Sequence, residues 1–456
     1  MATSSTSNAR LRVAVLVDLE WSETAGGHVR FWQRVLKAAA HTRADLDLTV
    51  YAQGRAGTLP VADHARVVLL PPVLSSRWIR HLVRQPDYTD LASYHRDLAR
   101  RLCEHDVVHT TDAFFCHAKT ATRVCAERNL PLVSSLHTDT PGYTRRYLGD
   151  SLRRWLGHGW FGDLLVDRLA LPARMQRHMQ GQLRRHLAVC RHVWLDPASL
   201  GGNPRELLTD PDARTGIGGL PVSHSTLRRG LDRTHFSPTR ADRARLHDQF
   251  GIDPTLPVIV AAGRLSPGKR VLLLARAARR LIDAGQALSV VFAGSGEQRS
   301  DIAQVLGRHA VFAGQLDEHS LGWLYASSDL LVHASDIELF PNVVAEALAC
   351  GLPAVVAPGG GGRLFSHQDT ACAQDPPAVI VDDDAPQSWA TAIGALLADP
   401  ARGERLRAAG LRFVQQAVPD WHDILTQDLL PHWRMVAQRA RSSARLGSSN
   451  EAAADT

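Results

Sequence analysis

Short apolar runs separated by stretches of helical period recur along the chain from Leu11 to Val381. Leu11–Val17, Leu46–Tyr51, Ala65–Leu70, Val107–His109 and Leu132–Leu136 each read as a buried strand, and His28–Ala40 reads as a helix. The pattern restarts after Pro254–Leu256. It then gives a strand at Val258–Ala262, a helix at Val271–Ala284 and a strand at Leu288–Ala293. Further strands are predicted at Ala310–Phe312, Leu330–His333, Pro353–Ala357 and Val379–Val381. Strands that alternate with helices build a parallel sheet covered on both faces. Two such series predict two α/β units.

Size points the same way, because a single hydrophobic core rarely organises 456 residues. The expected division is residues 11–235 and 236–420, with a linker near Thr234–Asp253. The last helical stretch, Trp421–Arg441, is expected to cross back to the first unit. Residues 1–10 are Ser/Thr-rich and 442–456 are Ser/Ala/Glu-rich without apolar periodicity, so both ends are expected to be disordered. Asp196–Ser223 carries several Pro and Gly residues and no period, and reads as an inserted loop.

Composition narrows the class. A hydrophobic fraction of 45% and a charged fraction of 21% are those of a soluble globular protein. The net charge of +6 suits an anionic substrate or a negatively charged membrane surface, and is too weak and scattered to imply nucleic acid. Six cysteines without a C-x-x-C pair fit reduced thiols in the cytoplasm. No apolar run reaches the ~18 residues that span a bilayer. Leu11–Val17 is too short, and too soon followed by Asp18 and Glu20, for a signal peptide.

The candidate chemistry centres on Glu338-Leu-Phe-Pro-Asn-Val-Val-Ala-Glu346. Glu338 falls in the loop after a predicted strand and Glu346 about one turn into the next helix. Ligands of open α/β sheets bind at that crevice, where a helix N-terminus offers N–H groups to a diphosphate. A carboxylate one turn in can accept two hydrogen bonds from a ribose diol, and one nearer the mouth can hold sugar hydroxyls. Two solvated surface glutamates are the plainer alternative. Phe340, Val343, Val344, Ala347 and Leu348 count against it, since a buried helix leaves its glutamates in need of partners. In the same half, Gly263-Arg264-Leu-Ser-Pro-Gly-Lys269 joins a strand to a helix. Its two cations can straddle a diphosphate, Arg with forked hydrogen bonds and Lys as a point charge, or else the stretch is an ordinary basic loop. In the first half, His137 follows a strand within Ser134-Ser-Leu-His-Thr-Asp139-Thr-Pro-Gly-Tyr143. His109 also ends a strand and reads as structural.

These motifs resemble those of glycosyltransferase family 4, retaining enzymes of the GT-B architecture with two Rossmann-like domains facing across a cleft. The Glu338–Glu346 segment is similar to the family's E-x7-E motif, with Leu339 a departure at its second place. Gly263–Lys269 is similar to its Gly-Arg-Leu-x-x-x-Lys motif, with Gly268 where Glu is usual. Arg228-Arg-Gly230-Leu-Asp-Arg-Thr-His-Phe236-Ser-Pro238 resembles the family's run at the domain junction, where Gly230 is expected to make a turn. The resemblance covers most of residues 11–440 and is strongest over 226–357.

The resemblance implies transfer of a sugar from a nucleoside-diphosphate donor, UDP or GDP, to an acceptor hydroxyl with retained configuration. Arg264 and Lys269 would stabilise the departing diphosphate, aided by the helix start at Asn342 and Val343. Glu338 would orient the sugar, Glu346 the ribose, and His137 would lie near the reacting carbon. Gly26 and Gly27 would approach the donor phosphate through backbone N–H groups, or else only mark a turn. Leu316, in Gly314-Gln-Leu316, would contact the base, or else the glycine is structural. No metal or other cofactor and no side-chain nucleophile are implied. The His137–Tyr143 stretch is similar to the S-x-H-T-x-x-P-x-Y signature of glycolipid synthases of the sulfoquinovosyl- and mannosyl-diacylglycerol type, which puts Asp139 and Tyr143 on the acceptor side. Arg residues with interleaved Tyr147, Trp155, Trp160 and Phe161 between Arg145 and Arg185 suit docking on an anionic bilayer at the inner membrane face, or equally two amphipathic helices with solvated faces. A dinucleotide-dependent oxidoreductase would need a Gly-x-Gly-x-x-Gly turn after the first strand, where Val17-Asp-Leu-Glu-Trp-Ser22 stands. A catalytically silent GT-B protein that binds membranes or partners is the alternative, and the intact Arg264, Lys269, Glu338 and Glu346 set argues against it.

Overall fold

The computed structural model describes residues 10–454 apart from 23–25, 43–44, 80–87, 138–139, 157–163, 196–222, 337, 339 and 367–375. The chain divides into two compact units. One comprises Met1–Arg228 with His422–Thr456, and the other Arg229–Trp421.

The first unit holds an eight-stranded sheet in the order β3-β4-β2-β1-β5-β6-β7-β8. Its strands are β1 Leu11–Glu20, β2 Leu46–Gln53, β3 Gly57–Ala62, β4 Ala65–Leu70, β5 Val107–Thr110, β6 Leu132–Ser135, β7 His192–Leu195 and β8 Ser223–Thr226. All pairs are parallel except β3 with β4. Strand order reverses between β1 and β5, the place where an open sheet receives ligands. The central strands carry apolar runs, Val13–Val17 in β1 and Val107–Val108 in β5, because both faces are covered.

Three strands were not legible. β3 is exposed along nearly its whole length and contains Pro60, so it lacks the alternation of a half-buried strand. β8, Ser-His-Ser-Thr, has no apolar residue. β7 is four residues long and joins the sheet through β6 and β8 alone. The expected N-terminal disorder over 1–10 and the loop read over Asp196–Ser223 fall almost wholly outside the described residues.

The second unit has a six-stranded sheet, β11-β10-β9-β12-β13-β14, parallel throughout. Its strands are β9 Val258–Ala262, β10 Ser289–Ala293, β11 Ala310–Gly314, β12 Leu330–His333, β13 Ala354–Val356 and β14 Val379–Ile380. Side chains alternate across it. Val258, Val260 and Val291 pack with helix Asn342–Ala349 on one face. Ile259, Ala261 and Val290 pack with helix Val271–Asp283 on the other. The order reverses between β9 and β12, so the loops after these two strands sit at the switch point.

The stretch read as a linker, Thr234–Asp253, is ordered structure of the second unit. It holds helix Arg243–Phe250, capped by Asp242 and anchored by Arg243 to Asp329 at 2.8 Å. Phe236 and Leu246 are buried in the core. The turn expected at Gly230 is not its reason either. A Cβ there would lie 2.6 Å from the Trp421 ring, so the glycine makes room for that ring while Leu231 donates to Pro419 O at 2.9 Å.

Residues from His422 return to the first unit. Ile424, Leu425, Leu429 and Trp433 are fully buried. Asp428 accepts a fork from Arg228 at 2.9 and 2.6 Å, and its carbonyl accepts the Trp194 indole N–H at 3.2 Å. The closing helix runs from Leu430 to Ala454, past the boundary expected at residue 441. Ala, Arg and Glu sustain a helix without apolar periodicity, and no proline interrupts residues 442–454.

Candidate functional site

At the carboxyl ends of β9 and β12 the second unit brings together most of the residues singled out there. After β9, Gly263 takes φ +126° and donates to Ala293 O at 2.9 Å. This turns the chain into a short 3-10 turn, Pro267–Lys269. Arg270 follows in the left-handed region at φ +54°. For a residue with a Cβ that costs about 1 kcal/mol or more and needs outside support. Asp336, 3.5 Å away, and Asp384 hold the Arg270 guanidinium. Asp384 belongs to the acidic run Asp382–Asp384.

The loop is backed by two glycines. A Cβ on Gly294 would collide with the Gly263 carbonyl oxygen, and one on Gly296 with that of Leu265. Leu265 donates to Ser295 O at 2.9 Å and Gln298 to Leu265 O at 3.1 Å, so the Gly294–Gly296 turn fixes the height of the Arg264–Lys269 backbone. Ser335 adds a hydrogen bond to Gly268 O at 3.2 Å.

Lys269 reaches Glu338 in the loop after β12 and forms an ion pair with it. His333, at the end of β12, places Nε2 2.8 Å from Glu338 Oε2, outside hydrogen-bond alignment. Burial, and then the nearby Arg264 cation, pull the Lys269 ammonium down to about 7, a pull the Glu338 carboxylate opposes. Burial and Lys269 push His333 down to about 3, so it is neutral. The Glu338 carbonyl accepts the Gly361 N–H at 2.6 Å. Gly359 and Gly362 crowd Asp336 and Ala357 so closely that neither position admits a side chain.

Asn342 opens the next helix, whose ladder begins with Val344 donating to Pro341 O at 2.9 Å. Asn342 and Val343 therefore precede the first intrahelical bonds, at the positive end of the helix. Glu346 lies in the second turn, only 5% exposed, among Val344, Ala345, Ala347 and Leu348. Leu316 packs part-buried against the core beyond Gly314, which takes φ +70°, and Gln315 bonds Ser295 Oγ at 3.2 Å.

In the first unit, Gly26 and Gly27 open helix Gly27–His41 just past β1. The next residue, His28, stacks on His137 with ring centroids 4.5 Å apart and planes at 10°. Phe31 and Trp32 from the same helix meet the His137 ring edge-on. His137 follows β6 and is 7% exposed. Tyr143 lies in helix Thr140–Leu156, while its side chain, Asp139 and Leu339 lie outside the described residues. Elsewhere in this unit, Asp18, Asp90, Asp112 and His117 form a buried polar cluster that the sequence does not reveal. Asp18 accepts the His117 N–H at 2.8 Å, and Asp112 those of Phe114 and Phe115 at 2.8 and 3.0 Å. Burial raises both carboxyls to about 6, with Asp90 adding to Asp18 and Asp18 to Asp112.

Sequence reasoning missed His333, Arg270, Gly294, Gly296 and the Gly359–Gly362 run. A histidine closing an apolar strand and a Gly-x-Gly after another were the signals available. What each contacts was not.

Comparison with known proteins agrees with this geometry. Residues 256–399 match the family described as Glycosyl transferases group 1. A D-inositol 3-phosphate glycosyltransferase of Nocardia farcinica is 34% identical over 200 residues, 41% of this chain and 42% of that protein. A GDP-mannose-dependent alpha-mannosyltransferase of Mycolicibacterium smegmatis is 39% identical over 134 residues, 29% of this chain and 33% of the relative. The chain thus matches less than half the length of each of these curated relatives. Among solved structures, Anabaena HepE in complex with UDP and glucose superposes with a TM-score of 0.60 at 15% identity, covering 96% of this chain and 100% of the other. Two parallel α/β sheets and a terminal helix returned to the first unit are the GT-B fold of these solved structures, and residues 256–399 carry the match to the group 1 glycosyl transferases.

Proposed function

We propose that the protein transfers a hexosyl group, with retained configuration, from a UDP- or GDP-sugar to a hydroxyl of a lipid-borne or cell-envelope acceptor. The observation that carries the reading is the meeting of Lys269 and Glu338 at the β9–β12 switch point, beside Arg264 and the helix start at Asn342. Arg264 and Lys269 neutralise charge that grows on the leaving diphosphate, and the Asn342 and Val343 end of the helix adds its dipole. Glu338 hands its partner Lys269 to the phosphate and turns to the sugar hydroxyls. Glu346 takes the ribose diol, Leu316 the base, and Gly26 and Gly27 the phosphate through backbone N–H groups. His137 attends the sugar. Asp139 and Tyr143 face the acceptor.

A membrane-borne acceptor is supported by the His137–Tyr143 resemblance and by two helices that pack together, Thr140–Leu156 and Leu171–Ala188. Their exposed residues include Arg145, Arg153, Arg174, Arg177, Arg184 and Arg185, beside the exposed Leu171 and Met175. Such a surface suits a peripheral protein at an anionic leaflet. Among the described residues no helix is long and apolar enough to cross a membrane.

Thermal unfolding in the presence of UDP- and GDP-sugars tests the donor side, since a ligand bound only by the folded protein raises its melting temperature. Stabilisation by one of these donors and release of its diphosphate are expected. A protein that neither binds nor hydrolyses any of them is the catalytically silent alternative.

A further inference from the structure

We propose that a buried hydrogen-bond relay, Trp433–His109–Ser135–His137, fixes the tautomer of His137, so that its neutral ring carries the proton on Nδ1. All four residues belong to the first unit, and Trp433 comes from the returning helix.

The relay has one polarity because it starts at a group that can only donate. The Trp433 indole N–H donates to His109 Nδ1 at 3.1 Å. His109 Nδ1 therefore presents a lone pair, and the ring must be neutral with its proton on Nε2. Complete burial also holds His109 well below the usual histidine range, with His192 adding to the effect. The Nε2–H then donates to Ser135 Oγ at 2.8 Å. The Ser135 hydroxyl hydrogen has one acceptor left among the described residues, His137 Nε2 at 2.9 Å. The opposite arrangement, with both imidazoles donating to Ser135, would strand that hydrogen in a fully buried site. A buried donor left without an acceptor has lost its hydrogen bond to water with no replacement, and that sets the direction.

Packing keeps the rings from rotating out of the chain of bonds. His109 stacks on Trp194 at 4.9 Å and 10°, with Trp32 edge-on at 4.9 Å and 84°. His137 is held between the stacked His28 and the edge of Phe31 at 4.8 Å. The consequence rests on the reading of His137 under Proposed function. Its Nδ1 edge is a fixed hydrogen-bond donor, suited to an oxygen of the donor sugar, and is not a base. Trp433, His109 and Ser135 are positioning residues.

The test is a long-range proton–nitrogen correlation on the full chain labelled with 15N-histidine, at a pH where imidazoles are neutral. His137→Gln identifies the His137 signals. A protonated Nδ1 and a bare Nε2 are expected at His137 in the native protein. Trp433→Phe removes the donor that polarises the relay, and Ser135→Ala cuts it. Each should bring the Nε2–H form of His137 up to a substantial population, with thermal unfolding showing that the variant is folded. Where Trp433→Phe does not fold, Ser135→Ala decides. An Nε2–H tautomer in the native protein, or a His137 signature unmoved in the folded variants, overturns the proposal. Normal transfer by His137→Gln would sink the sugar-contact reading instead, while the nitrogen shifts still report the relay.

Discussion

Lys269 and Glu338, 69 positions apart in sequence, neutralise one another at the carboxyl ends of β9 and β12. Under the proposed function the donor diphosphate meets Lys269 here, so that the phosphate replaces one anionic partner of the lysine with another. Removing either clamp cation should be costly. Arg264→Ala or Lys269→Ala is expected to lower turnover by about 10² or more, by analogy with the loss of a preorganised oxyanion donor. Steady-state rates with saturating donor decide it, and near-normal rates in both variants would remove the assignment.

The same lysine makes donor binding sensitive to pH. Burial and Arg264 bring Lys269 down to about 7 in the empty protein. A bound diphosphate restores a high value, so above about pH 7 binding must take up a proton. Affinity should then fall as pH rises, by up to about tenfold per unit. Calorimetry in buffers of different ionisation enthalpy should show proton uptake above pH 7 that fades below it. Lys269→Arg, which stays charged, should flatten the profile. A flat profile in the native protein would mean that the lysine stays charged throughout or does not meet the phosphate.

Glu346 is buried in the second turn of its helix. If it holds the ribose diol, Glu346→Gln weakens the native donor, while a 2′,3′-dideoxy donor binds the native protein poorly and loses little more in the variant. Losses that simply add would place the carboxylate elsewhere.

Asp112 offers a stability test apart from catalysis. Its carboxyl is raised from 3.8 to about 6, first by burial and then by Asp18. A raised carboxyl binds its proton more tightly folded than unfolded, so its contribution is full below about pH 4 and is lost as pH rises through about 6. Asp112→Asn keeps an oxygen for the Phe114 and Phe115 N–H groups and carries no charge. The variant should unfold later than the native protein above pH 6, by about 2 kcal/mol or less, and the gap should close towards pH 4. Chemical denaturation at the two pH values measures it, and a gap of the reverse sign would show that the ionised carboxylate is the stabilising form.

Vesicles address the acceptor. The protein should bind vesicles containing anionic lipid at low salt and leave them as salt rises, because surface attraction is screened within ~10 Å at 0.1 M. Changing Arg145, Arg146, Arg153 and Arg154 to Gln should abolish binding and leave donor affinity intact. Indifference to anionic vesicles, together with efficient glycosylation of a water-soluble acceptor, would end the lipid reading.

The sequence carried much of this because the central strands carry apolar runs and the loops after β9 and β12 hold charges inside apolar surroundings. Glu338 and Glu346 could be singled out on that contrast, and Arg264 and Lys269 through the family motif that their loop resembles. What stayed hidden depends on contacts between distant positions. Gly294 looks like any strand-end glycine until the Gly263 carbonyl is seen beneath it. His109 reads as structural because its partner Trp433 lies 324 residues away. The stretch over Thr234–Asp253 reads as a linker because a capped eight-residue helix with one buried leucine barely differs from solvated chain.

The return of His422–Thr456 to the first unit also sets an order of assembly. The second unit is contiguous and can close as soon as Trp421 has been made. The first unit begins earlier yet finishes later, since the indole that fills the space beside His109 follows the whole second unit in sequence. Until then Trp194 lacks the carbonyl that accepts its N–H, and the His109 edge waits in water. The first unit is thus completed by a segment that follows the whole of the second, and its buried relay can form only once the second unit has been synthesised.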